Sequence, residues 1–237
     1  MKKNRMIAAV IVLVLFGFAT AGFTYLTMEV YKPEEGIEQQ IRNDGARKKD
    51  MVAYGDDLSA SVGIIIYPDG KVNHLAYGLL AKQISEECGC LCVVPKVTTG
   101  LATLDFKAAR KIMETYDTVE TWYIGGHGVG AIGAARYAAK SPELFRGVIL
   151  LAGYAKDDIS AQRALSIYGD CDAYLDMNEY SAKLANLPAD YTEVVIEGGN
   201  HEQFGNYGEH IKDGEAGIDS DEQQKQTAEA IAAFIAS

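Results

Sequence analysis

Three short stretches bring together residue types that can do chemistry. The first is Gly126-His127-Gly128-Val129-Gly130, set between a sheet-favouring run at 121–124 and an alanine-rich helical run at 131–140. Glycines in so tight a turn supply unusual dihedrals and clearance. The second is Asp170-Cys171-Asp172, just past the apolar run 164–168, and the third is Asn200-His201-Glu202, just past 193–196. An aspartate that orients a histidine, and a histidine that moves a proton, form an acid–base couple. Backbone N–H groups at a turn into a helix form a corner that stabilises an anion. Such a set normally activates a hydroxyl nucleophile, but at the centre of this turn stands Gly128.

The elements that must position these residues alternate along the chain. Apolar runs at 62–67, 91–95, 121–124, 147–151, 164–168 and 193–196 read as strands. Between them, helices are expected at 74–85 (capped by Asn73), 105–116 (capped by Asp105), 131–140 and 178–185. A last helix is expected at 220–236, opened by a capping box at Ser220. Strands alternating with helices predict an α/β fold with a mostly parallel sheet covered on both faces. Ligands of such sheets sit beyond the carboxyl ends of the strands. That rule selects Asp69-Gly70, Gly128-Val129, 169–172 and 198–201, four strand ends on one edge.

The order glycine turn, then Asp, then His resembles that of the α/β-hydrolase family, whose nucleophile elbow reads G-x-S-x-G. YPDGKV, VVPK, IGGHGVG, SIYGDCD, EGGNHEQFGNYG and DGEAGIDSDEQQKQT look like one branch of that family, related to dienelactone-hydrolase-type enzymes. The resemblance covers about 62–237 and implies an ester or acyl hydrolase fold; no cofactor is expected, and the carboxylates of Asp213 and Glu215 near His210 read as a solvated face rather than a metal site. By motif it assigns the acid to Asp172, with Asp170 as the alternative, and the base to His201. The oxyanion donors would be the N–H of Val129 and that of Asp69 or Gly70. Gly128 falls on the nucleophile's position and carries no attacking atom. Losing that serine costs a comparable hydrolase about 10⁶-fold in kcat. The expectation is therefore a crippled enzyme that binds small ester or acyl ligands. The alternative is a working hydrolase of small esters or lactones that uses activated water or another nucleophile.

His127 reads as packing within the turn, and Cys171 as inert filler rather than a rescue nucleophile. His74 and His210 read as surface residues. Lys71 and Lys96, past strands on the active edge, read as solvated, with contact to an anionic substrate as the alternative. Only about a dozen residues separate the strands at 151 and 164, which leaves no room for a lid domain and predicts an open, shallow site.

The front of the chain differs from the rest. Lys2, Lys3 and Arg5 precede an uncharged run from Met6 to Met28, roughly 34 Å long as a helix and enough to cross a bilayer core. This predicts a membrane anchor over 1–28, or a cleaved signal peptide, with the remainder outside the cytoplasm. Residues 29–50 read as a polar tether with a short helix near 35–41, and 51–237 as the hydrolase domain. A net charge of −11 excludes nucleic acid as a partner. In an exported domain the four cysteines are free to form disulfides, in pairings that spacing leaves open.

Overall fold

The run VGIIIY shows how the sheet is built. Side chains alternate along a strand. Ile64 and Ile66 enter one apolar cluster, while Ile65 and Tyr67 enter another. All four are fully buried, so both faces of the sheet are covered. The structure, a computed structural model, describes residues 30–56, 58–97, 106–208 and 213–237, with scattered positions between 6 and 20. Met1–Val30 and Tyr31–Ser237 form two separate compact units.

In the larger unit the described strands are β1 (Met51–Tyr54), β2 (Val62–Tyr67), β3 (Leu91–Pro95), β4 (Thr121–His127), β5 (Gly147–Leu151), β6 (Arg163–Gly169) and β7 (Thr192–Ile196). They lie in the order β1-β3-β2-β4-β5-β6-β7. β1 is antiparallel to β3, and every other neighbouring pair is parallel. The helices are α1 (Ile37–Asn43), α2 (Gly78–Cys88), α3 (Phe106–Thr115), α4 (Val129–Lys140), α5 (Met177–Lys183) and α6 (Ser220–Ala236). Residues of α1, α2 and α6 join the cluster on one face, and those of α3 and α4 the cluster on the other. This is the two-faced, mostly parallel sheet expected from the alternation.

Several boundaries differ for local reasons. β1 was not anticipated, because four residues carry too little periodicity. β4 runs three residues further than its apolar stretch, since Gly125 and Gly126 continue the ladder despite glycine's poor strand preference. The cap of α6 is Asp219, which accepts from the Glu222 N–H at 2.9 Å, rather than Ser220. Residues 31–50 are not a free tether. Ile37 and Ile41, four apart on α1, are both buried in the core, and Tyr31 bridges to Val72. Two apolar residues among charges are too sparse to announce a docked helix.

The expected cap Asp105 and His210 lie outside the described residues, as does most of 1–28. The positions described there are helical. Among the described residues, no helix is long and apolar enough to cross a membrane.

The turn from β4 into α4 depends on close backbone approach. A Cβ on Gly130 would lie 2.5 Å from the carbonyl oxygens of both Tyr67 and Pro68, and one on Gly126 would overlap the backbone of Gly130. Backbone cannot yield as a flexible side chain can. Gly130→Ala is therefore expected to lose about 1–3 kcal/mol in urea unfolding, the usual cost of overpacking. Gly89→Ala places its Cβ in open space, at a positive φ of 59°, and serves as the comparison for backbone strain alone.

Candidate active site

Three strand ends and one loop deliver the site. β2 ends before Asp69, β4 ends on His127, β6 leads to Asp172, and the loop after β7 carries His201. His201 Nδ1 lies 3.0 Å from Asp172 Oδ2. The other oxygen of Asp172 accepts the N–H groups of Tyr174 (2.8 Å) and Leu175 (2.7 Å). Burial alone would push the Asp172 carboxyl up, but His201 and these two N–H groups hold it below its usual range. Asp170, the alternative acid, accepts the Gly198 N–H at 2.7 Å and so ties the β6 turn to the β7 turn. Cys171 donates to that same carboxylate, which pushes its thiol up and away from nucleophilic character.

The position of His201 is itself supported from behind. Gln223 of α6, fully buried, accepts the Asn200 N–H at 2.9 Å and donates to the Asn200 carbonyl at 2.7 Å. Gln223→Met keeps the volume but orphans both groups. It is expected to cost at least about 2 kcal/mol in thermal or urea unfolding.

The largest departure from expectation is at Asp69, assigned above only through its backbone. Its carboxylate fills the corner. Oδ1 accepts the Val129 N–H at 2.6 Å, so the donor expected to face a ligand oxygen is already engaged. The Asp69 N–H is engaged too, donating to the Tyr77 hydroxyl at 3.1 Å. Gly70 follows in the same turn and is half-buried. Gly128 has φ 51° and ψ −114°, a sharp strand-to-helix turn that glycine adopts freely and that would strain any residue with a side chain. A Cβ built there would overlap Oδ1 of Asp69 and lie 2.6 Å from its Cγ. The space of the missing side chain is thus occupied by a carboxylate from the neighbouring strand end.

Asp69 Oδ2 also lies 3.7 Å from His201 Nε2, so this histidine is flanked by two carboxylates. Burial disfavours its charge, but the bond to Asp172 and the attraction of Asp69 outweigh that, and its pKa rises to about 9. Burial raises Asp69 as well, and the attraction of His201 and the Val129 N–H bring it below its ordinary value.

His127 is more than packing in the turn. It is fully buried, its ring centroid lies 4.3 Å from that of His201, and its Nδ1 lies 2.8 Å from the Tyr77 hydroxyl. Burial, then the charge of His201, pushes its pKa down to about 3, so it is neutral. Tyr174 covers His201 from another side, with ring centroids 4.9 Å apart. His201 is consequently only 3% exposed, whereas an open, shallow site was expected. Lys71 is buried with φ 65° rather than solvated, and Lys96 is exposed. The Asp69 and Tyr77 side chains had no motif to mark them. The only hint was an acid in the turn where backbone donors were needed.

Residues 63–226 match the model of an α/β hydrolase family. The chain belongs to the α/β-hydrolase family. The match spans well over half its length and includes every residue of the site. As an α/β hydrolase it is similar to solved esterases and a lipase. A monoacylglycerol lipase from Paleococcus ferrophilus is 12% identical, with TM-score 0.59 over 78% of this chain and 98% of that one. A thermophilic esterase from Thermogutta terrifontis is 12% identical, with TM-score 0.57 over 78% and 92%. An esterase from Pyrobaculum calidifontis is 12% identical, with TM-score 0.57 over 86% and 92%. At such identities the likeness establishes the fold alone. No curated protein matches this α/β hydrolase by sequence.

Proposed function

We propose that this α/β hydrolase does not carry out serine-type acyl transfer. The observation that carries the reading is the Asp69 carboxylate. It takes the Val129 N–H and fills the space a side chain at Gly128 would need. An ester carbonyl approaching that corner meets a negative charge where a donor is required. Small ester or acyl ligands bind only if Asp69 swings away, so affinity for them is weak. A fluorophosphonate probe tests the reading on the full-length chain. No residue is labelled and p-nitrophenyl ester turnover stays at the buffer rate. Stoichiometric labelling of any residue overturns it.

A second reading, hydrolysis without serine, draws on the His201–Asp172 pair at 3.0 Å, which orients a histidine whose Nε2 has no hydrogen-bond partner and so could activate a water. It predicts fluorophosphonate-resistant ester turnover that disappears in His201→Ala.

For the location of the domain, we propose export with attachment through residues 6–28. Support comes from the basic cluster followed by an uncharged run. Protease added to intact cells then degrades the domain, and full protection refutes this.

A further inference from the structure

The site contains two buried histidine nitrogens with no hydrogen-bond partner, Nε2 of His127 and Nε2 of His201. The rings are 0% and 3% exposed. An imidazole nitrogen left bare in the interior costs free energy unless something uses it. In each ring the other nitrogen is held: His127 Nδ1 by the Tyr77 hydroxyl at 2.8 Å, and His201 Nδ1 by Asp172 at 3.0 Å. Histidines that bind metals are arranged in this way, with one nitrogen anchored to a hydroxyl, carbonyl or carboxylate and the other presented to the ion.

The third donor is Asp69. Donor atoms of Asp69, His127 and His201 all lie within 4.8 Å of one another, and among the described residues this is the only such His, Cys, Asp and Glu group. Asp69 Oδ2 stands 3.7 Å from His201 Nε2, too far for a hydrogen bond. Two ligands on one tetrahedral ion with bonds of about 2.0–2.1 Å stand about 3.4 Å apart. Bringing atoms that stand up to 4.8 Å apart to that spacing takes at most about 1.4 Å, shared between the carboxylate and the two rings. Charge points the same way. A metal displaces the proton that His201 carries between its two carboxylates, and with both imidazoles then neutral the two negative charges of Asp69 and Asp172 are balanced by one divalent cation.

We propose that Asp69, His127 and His201 bind one divalent transition-metal ion of the zinc class. Two imidazoles and a carboxylate suit zinc and disfavour magnesium and calcium, which prefer oxygen ligands. Three protein ligands leave a fourth position open on the ion. Asp172 and Tyr77 are positioning residues, each orienting one histidine. This departs from the sequence reading, which expected no metal, and it does not rest on the absence of serine chemistry.

The test uses the full-length chain, dialysed against EDTA and then titrated with zinc chloride by calorimetry, with metal content measured by mass spectrometry. One zinc per chain is expected, bound at micromolar or tighter Kd, and magnesium does not compete. Asp69→Asn, which keeps the shape and the bond from Val129, weakens binding at least about 100-fold. His127→Gln does the same. Asp172→Asn weakens it by about 10–100-fold, the usual effect of removing an orienting partner. His74→Ala changes nothing. If either ligand variant fails to fold, Tyr77→Phe replaces it, since it removes one hydroxyl. Tenfold weaker binding there supports the site, and unchanged binding overturns it. A water bridging the two nitrogens would leave the wild type without saturable zinc binding, and that result overturns the proposal. So does zinc that stays stoichiometric in both Asp69→Asn and His127→Gln. None of these measurements reads ester turnover, so failure here is distinct from failure of the hydrolase reading.

Discussion

Introducing a serine at Gly128 is expected to leave the protein nearly inactive toward p-nitrophenyl esters unless Asp69 is removed as well. The double variant Asp69→Gly/Gly128→Ser should exceed Gly128→Ser alone by about 10³-fold in kcat/KM. The reason is a charge at the wrong place. In Gly128→Ser the new Cβ overlaps the Asp69 carboxylate, which must rotate aside but remains near the Val129 N–H. A tetrahedral oxyanion forming there sits about 4 Å from another negative charge, a repulsion of about 4 kcal/mol at an effective dielectric of 20. That figure converts to about 10³-fold in rate. Removing Asp69 frees the Val129 donor, and the Asp172–His201 couple is already within hydrogen-bond distance. Labelling of both variants with a fluorophosphonate checks the order of effects. Equal activity in single and double variants would show that Asp69 does not govern the corner.

The second large effect concerns stability. His201→Ala should cost about 3–5 kcal/mol in urea unfolding at pH 7 in EDTA, because it leaves Asp69 and Asp172 buried near each other with no cation between them. Towards pH 4 the stranded carboxyls take up protons and the cost should shrink. The wild type has its own profile. His201, at about 9, lies above its ordinary value of 6.5. Its contribution is therefore complete below pH 6.5 and is lost as pH rises through about 9. Asp69 and Asp172 lie below their ordinary value, so their contribution is present above about pH 4 and is lost on further acidification. Stability should peak between about pH 5 and 6.5, and His201→Ala should flatten the alkaline fall. An alkaline fall that persists unchanged in His201→Ala would assign it to other groups.

How far the sequence could be read depended on whether the information was local. Alternating apolar runs and glycine turns are local, and they were enough for the parallel sheet and its converging strand ends, while the motif order marked Asp172 and His201. Ile37 and Ile41 were illegible because their apolar partners lie in other elements. The cap of α6 was off by one residue, since Asp219 and Ser220 are both good caps and only backbone geometry separates them.

By itself, then, the sequence determined the α/β-hydrolase fold, the strand ends that converge, and the absence of a nucleophile at Gly128. What only the tertiary structure decided is what stands there instead. Asp69 follows β2 and Gly128 follows β4, about sixty residues apart along the chain, and parallel pairing makes those strand ends neighbours. A side chain's direction across that gap, the Tyr77 hydroxyl beneath it and the two bare histidine nitrogens beside it arise from packing between distant segments. No spacing along the chain encodes them.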